Sequence, residues 1–278
     1  MKTGEMRTKG RRDKKHNLDD LLKIMARLRS PSGCPWDREQ DENTLKKYLI
    51  EEAYEALEAI EAGSPKELQE ELGDLLLQII FLSRIAEEKG EFTFLNVVHD
   101  LAAKLIRRHP HVFPSPEHPE VRAESARDVV KVWGKVKESE GKYAKRSSLL
   151  DGLPLALPAL ERARRISERV SRVGFDWPNS GEVWKKVEEE MAELKEAEGE
   201  SSREGIEREF GDLLFSLVNW ARFQGVSSEE ALRKANRRFA RRFSQVEKGL
   251  RERGRRPEES NLEEMDELWN QAKKRSEE

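Results

Sequence analysis

Two segments decide how this chain folds: Lys186-Val187-Glu188-Glu189-Glu190-Met191-Ala192-Glu193 and, after a Gly/Ser-containing break, Glu209-Phe210-Gly211-Asp212-Leu213-Leu214-Phe215. Each writes a pair of carboxylates in helical register. At about 100° per residue, Glu190 and Glu193 share one face of a first helix, and Glu209 and Asp212 one face of the next. A short turn between the helices brings the four together. A lone ExxE in a chain with 38% charged residues reads as solvated surface. Asp212, however, opens the run Leu213-Leu214-Phe215-Ser216-Leu217-Val218-Asn219-Trp220, apolar nearly all round and so a helix buried on most sides. Carboxylates at the mouth of such a helix need partners, because an unpaired buried charge costs several kcal/mol or neutralises itself. A divalent cation would be such a partner.

The same writing occurs twice. Glu51, Glu52, Glu55, Glu71, Gly73, Asp74, Leu75 and Leu76 recur as Glu189, Glu190, Glu193, Glu209, Gly211, Asp212, Leu213 and Leu214, a constant offset of 138 (189 − 51). Identity held over that register marks a tandem repeat of one carboxylate-bearing helical unit. With 278 residues there is room for two domains of ordinary size.

Outward from the repeat, periodicity predicts further helices. Residues 1–17 carry seven Lys/Arg and no apolar core, which predicts a disordered basic tail. Leu18, Leu21, Leu22, Met25 and Leu28 mark an amphipathic helix stopped by Ser30-Pro31-Ser32-Gly33. Helices are then expected at about 44–62, 66–89, 95–109 and 125–138, giving an N-terminal domain over 18–140. The Gly, Pro and Ser residues of 141–158 read as a linker, and helices resume at about 159–172, 181–198, 203–223, 228–252 and 262–275 in a C-terminal domain over 159–278. Ser227-x-x-Glu230 reads as a capping box. No strand pattern stands out, so the fold class is all-α, two tandem helical bundles each built round a carboxylate hairpin.

Net charge of −3 argues against a large nucleic-acid or membrane surface, and no apolar run approaches the roughly 18 residues that span a bilayer. A single cysteine, Cys34, rules out an intrachain disulfide and, with no signal peptide visible, makes the cytoplasm the expected compartment. Four carboxylates without His or Cys suit a hard cation, Mg²⁺ or Mn²⁺. The histidines lie at 16, 99, 109, 111 and 118, so the C-terminal half has none to offer as the Glu-x-x-His ligands of a di-iron bundle. Because Mg²⁺ keeps several waters and binds through a few carboxylates plus substrate phosphates, a polyphosphate is the expected ligand. Lys186 lies four residues before Glu190 on the same face, and Lys234, Arg237, Arg238, Arg241 and Arg242 crowd a later helix, where a basic solvated face is the competing reading. Ser216 and Asn219 follow Asp212 on its own face, placed for a sugar, a base or plain helix packing. His109 and His111 fit a helix terminus closed by Pro110 better than a metal site.

ExxE, fifteen residues, then ExxD, present twice, with Gly33-Cys34-Pro35-Trp36-Asp37 before the first copy and Arg107-Arg108-His109-Pro110-His111-Val112-Phe113 after it, resembles the MazG family of nucleoside triphosphate pyrophosphohydrolases. The resemblance runs from about Leu18 to Lys274. It implies an all-α fold that pairs as a homodimer, and hydrolysis of a nucleoside triphosphate to the monophosphate and pyrophosphate. Carried over residue by residue, it gives metal ligands at Glu190, Glu193, Glu209 and Asp212 and at Glu52, Glu55, Glu71 and Asp74. It also implies nucleotide contacts from Lys234, Asn236 and Arg238, with Trp269 at the nucleotide site, joined by Lys186 from the spacing above. Glu189, four residues before Glu193, is the candidate for orienting the attacking water. Three function classes follow: a broad house-cleaning enzyme, a narrow enzyme for one deoxynucleotide or a phosphoribosyl nucleotide, and a non-catalytic module that docks a partner protein. The halves are expected to be unequal, the C-terminal site the stronger. Tyr48 stands where Lys186 does, and Lys104-Leu105-Ile106-Arg107-Arg108 has Ile106 where the later helix has Asn236; Lys47 and Trp133 are the substitutes that would equalise them.

Overall fold

A computed structural model describes residues 15–114, 123–139 and 147–275. The chain divides into two compact units, Met1–Ala144 and Lys145–Glu278. The described residues are helical with no strands, so the fold is all-α. The predicted tail falls mostly outside the described residues, as do positions 141–146 of the predicted linker.

The first unit holds α1 (Leu18–Leu28), α2 (Pro35–Glu39), α3 (Glu42–Ala62), α4 (Pro65–Glu88), α5 (Phe94–Arg108) and α6 (Ala126–Ser139). Side-chain caps start them where the sequence offers short polar residues: Asn17 with Asp20 for α1, Asp41 with Thr44 for α3, Ser64 followed by Pro65 for α4, and Thr93 with Asn96 for α5. The helix α3 turns back into α4 through Gly63, whose φ of +65° is cheap only for glycine. Met25 from α1, Leu45 from α3 and Ile80, Phe81 and Ile85 from α4 form the core. The short α2 was not foreseen, since five residues are too few to show a period and Pro35 at its first turn reads as a stop. Its place is fixed by Arg29, whose side chain is 8% exposed: the guanidinium donates to the carbonyls of Asp37 and Gln40 and pairs with Glu88 at 2.8 Å.

The second unit holds α7 (Ala159–Ser171), α8 (Ser180–Gly199), α9 (Arg203–Phe223), α10 (Ser228–Glu252), a 3₁₀ turn (Pro257–Glu259) and α11 (Leu262–Arg275). α8 and α9 form the counterpart of the α3–α4 hairpin, with Val183 and Val187 of α8 and Val218 of α9 buried. A second cluster joins α10 and α11 through Val246, Leu250 and Leu268. The expected capping box at Ser227 is half made. Ser227 accepts from the Glu230 amide, but the Glu230 carboxylate turns outward to Lys234 at 2.5 Å, because a mobile ammonium four residues on competes for it.

The two hairpin turns differ at their left-handed position. Ser201 occupies the position of Gly63 (63 + 138 = 201) with φ of +54°, in the left-handed region that crowds a β-carbon. Ser201→Gly should therefore stabilise the second unit by about 1 kcal/mol, less the added freedom of the unfolded chain. Denaturant unfolding followed by helical circular dichroism checks this; a destabilised variant would contradict it.

Candidate functional site

In the second unit, one carboxylate oxygen from each of Glu190, Glu193 and Glu209 lies within 4.8 Å of the others. The buried valines of α8 and the turn at Ser201 set this geometry by holding α8 against α9. Glu190 and Glu209 are buried, 5% and 8% exposed, while Glu193 is open to solvent. Each buried carboxylate has a cation. Lys186 Nζ stands 2.9 Å from Glu190 Oε1 and 2.7 Å from Glu189 Oε1. Arg208 Nε and Nη2 both donate to Glu209 Oε1, at 2.8 and 2.6 Å. Removing either cation would strand a buried charge. Hydrogen bonds to Glu189 and Glu190 hold the Lys186 ammonium above its ordinary range, and Glu209 does the same for the Arg208 guanidinium. Glu193 is pushed up from its ordinary value, first by local desolvation; Lys186 opposes the rise, and the negative charges of Glu190, Glu209 and Glu189 add to it.

The first unit repeats the cluster with Glu52, Glu55 and Glu71, again within 4.8 Å. Its environment differs. Glu52 and Glu71 are only half-buried, and among the described residues no cation pairs with any of the three. Glu52 accepts instead from the buried amide of Gln78, Nε2 to Oε1 at 3.3 Å. Desolvation raises both Glu52 and Glu71; Asp74 is the next contributor for Glu52, Glu55 and Asp74 for Glu71. Tyr48 fills the Lys186 position and packs edge-on against Trp36, with the Lys47 ammonium 4.5 Å from its ring centroid. Glu70 stands where the second unit has Arg208 (70 + 138 = 208). Trp133 packs against His109 at 5.0 Å between ring centroids, and His109 closes α5 with Nδ1 2.6 Å from the Leu105 carbonyl, as a helix terminus does.

Of each predicted quartet, the three glutamates converge. Asp212 and Asp74 share the expected faces but stay outside the mutual 4.8 Å, each side chain being one methylene shorter than the glutamates that converge. Both still act at a distance, Asp212 on Arg208 and Asp74 on Glu52. Lys186 and Glu189 are at the cluster as expected. Lys234, Asn236 and Arg238 are exposed on α10, and no hydrogen bond or ion pair among the described residues ties them to the carboxylates. Trp269 is half-buried against the α10–α11 core, its ring 4.9 Å from that of Phe239 and 5.9 Å from the Arg242 guanidinium. Sequence reasoning missed Arg208, whose only signal was its place beside Glu209. It also missed a cavity of about 410 Å³ between α7, the Gly174–Trp177 loop and α9, floored in part by Asn219 and Arg222.

Three convergent carboxylates, one exposed and two buried and paired with cations, fit a hard divalent ion. The raised Glu193 carboxyl makes this testable without activity. A raised folded pKa means that the native state holds more protons than the unfolded one above the ordinary Glu value of 4.5, so ionised Glu193 lowers stability as pH rises through that interval. In chelator, Glu193→Gln should melt higher than the wild type at pH 7, with the gain shrinking as pH falls toward 4.5. Saturating Mg²⁺ should reverse the order. A wild type that melts higher in chelator at pH 7 would contradict the assignment.

Comparison with known proteins follows the same division. The MazG nucleotide pyrophosphohydrolase domain matches residues 40–113, and the phosphoribosyl-ATP pyrophosphohydrolase domain matches residues 163–239. The chain is 47% identical over 256 residues to the Thermotoga maritima nucleoside triphosphate pyrophosphohydrolase/pyrophosphatase MazG, covering 92% of this chain and 95% of that protein. It is 42% identical over 264 residues to the Escherichia coli K12 nucleoside triphosphate pyrophosphohydrolase, covering 93% and 98%. A Bacillus subtilis protein, the uncharacterized YabN, is 43% identical over 259 residues, which span 93% of this chain and 52% of YabN.

Proposed function

This chain belongs to the MazG family of nucleoside triphosphate pyrophosphohydrolases, and from that premise we propose that it hydrolyses a broad range of NTPs and dNTPs to the monophosphate and pyrophosphate in the presence of Mg²⁺. The observation that carries the reading is the Glu190, Glu193 and Glu209 cluster with Lys186 and Arg208 seated on its buried members. Glu190, Glu193 and Glu209, with Asp212 at the rim, would hold the ion, and Glu52, Glu55, Glu71 and Asp74 a second one in the first unit. Mg²⁺, or Mn²⁺ in its place, supplies neutralisation of phosphate charge at such a site.

The chain's own residues do the rest. With a divalent cation to offset the carboxylates, Lys186 and Arg208 would be placed to pair with phosphate oxygens. Glu189 reaches Lys186 through one oxygen, leaving the other to orient a water toward the α-phosphorus and take its proton. Lys234, Asn236 and Arg238 lie along an exposed stretch of α10 where phosphate and sugar would run, with Trp269 on the neighbouring helix. Exposed Met191, Phe210, Leu214 and Leu217 on α8 and α9 support a homodimer, since apolar side chains of this size seek a partner face. The enzyme would clear unwanted triphosphates from the cytoplasmic pool. No described helix is long and apolar enough to cross a membrane.

The match of residues 163–239 to the phosphoribosyl-ATP domain favours a second reading, a narrow enzyme for phosphoribosyl nucleotides. Competition between phosphoribosyl-ATP and a mixture of common triphosphates separates the two.

Two outcomes are expected with common triphosphates. Excess EDTA abolishes turnover and Mg²⁺ or Mn²⁺ restores it; full activity in EDTA would overturn the cation assignment. Hydrolysis in ¹⁸O-labelled water places the label in the monophosphate and releases pyrophosphate. Orthophosphate with a diphosphate product would show attack at the γ-phosphorus instead.

A further inference from the structure

Resting on the nucleotide reading above, the inference concerns the cavity of about 410 Å³ in the second unit. Its volume lies within the range of small-molecule sites. Val170, Phe175, Trp177 and Phe215 give it apolar and aromatic walls. Gly174 shapes its mouth with φ of +85°, a conformation that leaves the Phe175–Trp177 loop turned over α9. Asn219 follows Asp212 by seven residues on α9, the same face about 10 Å along the axis. A group in the cavity therefore lies one nucleoside's reach from the carboxylates.

Asn219 is 8% exposed, and its amide has a fixed orientation. The Arg222 guanidinium directs Nε and Nη2 at Asn219 Oδ1, at 3.0 and 2.8 Å. A guanidinium has donors only, so the amide oxygen must face it and the amide nitrogen must face away. Arg222 is anchored in turn by an ion pair with Asp176 from the opposite wall. Asn219 Nδ2 is left without a partner among the described residues, in a side chain that lines the cavity. A donor with no protein partner in the wall of a cavity discriminates, because a ligand that fills the cavity without accepting its proton displaces water from it and leaves it unbonded. In the first unit Phe81 takes the Asn219 position (81 + 138 = 219) and is part of the core.

We propose that this cavity takes the nucleobase and that Asn219 Nδ2 donates to a ring carbonyl, biasing the enzyme toward keto-edged bases over bases with an exocyclic amine there. Asn219 is the specificity-determining residue, and Arg222, held by Asp176, is the positioning residue that keeps its donor aimed. Inosine and adenosine triphosphates form the cleanest pair, differing at one edge by a carbonyl against an amine, as guanine and adenine do in duplex recognition. One hydrogen bond gained against one lost gives a preference of roughly fivefold, compatible with broad tolerance.

The test uses the full chain with Mg²⁺ and the ratio of kcat/KM for ITP to that for ATP. Wild type should favour ITP roughly fivefold. Asn219→Asp keeps a partner for Arg222 while replacing the donor by an acceptor, and should bring the ratio to unity or below. Asn219→Ser, which keeps the site polar with a shorter side chain, should bring it near unity, and serves if the aspartate variant does not fold. Trp177 fluorescence titrated with IMP and AMP gives the same comparison without turnover, and Arg222→Lys should weaken the IMP preference by releasing the amide. A wild type indifferent to the base, or folded Asn219 variants that keep the wild-type ratio, would overturn the proposal. Absence of pyrophosphate from every triphosphate would overturn the nucleotide reading itself, and this inference with it.

Discussion

Three carboxylates crowded at a helix hairpin repel one another, and the surrounding structure is arranged to tolerate that. Burial of Glu190 and Glu209 would be prohibitive alone, since a desolvated charge costs several kcal/mol when unpaired. Lys186, one turn earlier on α8, and Arg208, adjacent on α9, make it affordable, while Glu193 stays at the solvent edge. Lys186 and Arg208 offset two of the three carboxylate charges, and Lys186 is shared with Glu189.

The first unit shows the alternative solution. Without counterparts to Lys186 and Arg208, its glutamates stay nearer the surface and rely on the neutral Gln78 amide. It keeps the three converging glutamates but has Tyr48 and Glu70 where the second unit has Lys186 and Arg208. Divergence between the copies thus lies in what surrounds the acids rather than in the acids. The matches to two different pyrophosphohydrolase domains follow the same split.

Much of this was legible in the sequence. Helix bounds came within one or two residues wherever a long apolar period met a capping residue, as in α9, α10 and α11, and the 138-residue register located both hairpins. The MazG resemblance was confirmed by relatives matched over most of the chain. What escaped was short, or depended on reach. α2 has five residues and therefore no period. Asp74 and Asp212 have the right phase but lie outside the mutual 4.8 Å of the glutamates, a distinction that helical angle alone does not carry. Arg208 contacts its own neighbour in the chain, which no periodic pattern flags. The cavity is built from α7, a loop and α9, so its walls meet only after folding; Asn219 was visible as a face-mate of Asp212, but the amide orientation set by Arg222 was not.

We propose the hairpin of α8 and α9, with Lys186 and Arg208 on its buried glutamates, as the working site. The most direct measurement compares pyrophosphate release by Glu190→Gln/Glu193→Gln with that by Glu52→Gln/Glu55→Gln, both in the full chain. Loss of one or two charge-assisted contacts is worth about ten- to a hundredfold, so the first pair should remove most of the activity and the second should leave most of it. The reverse ranking, or equal losses from both pairs, would contradict the claim.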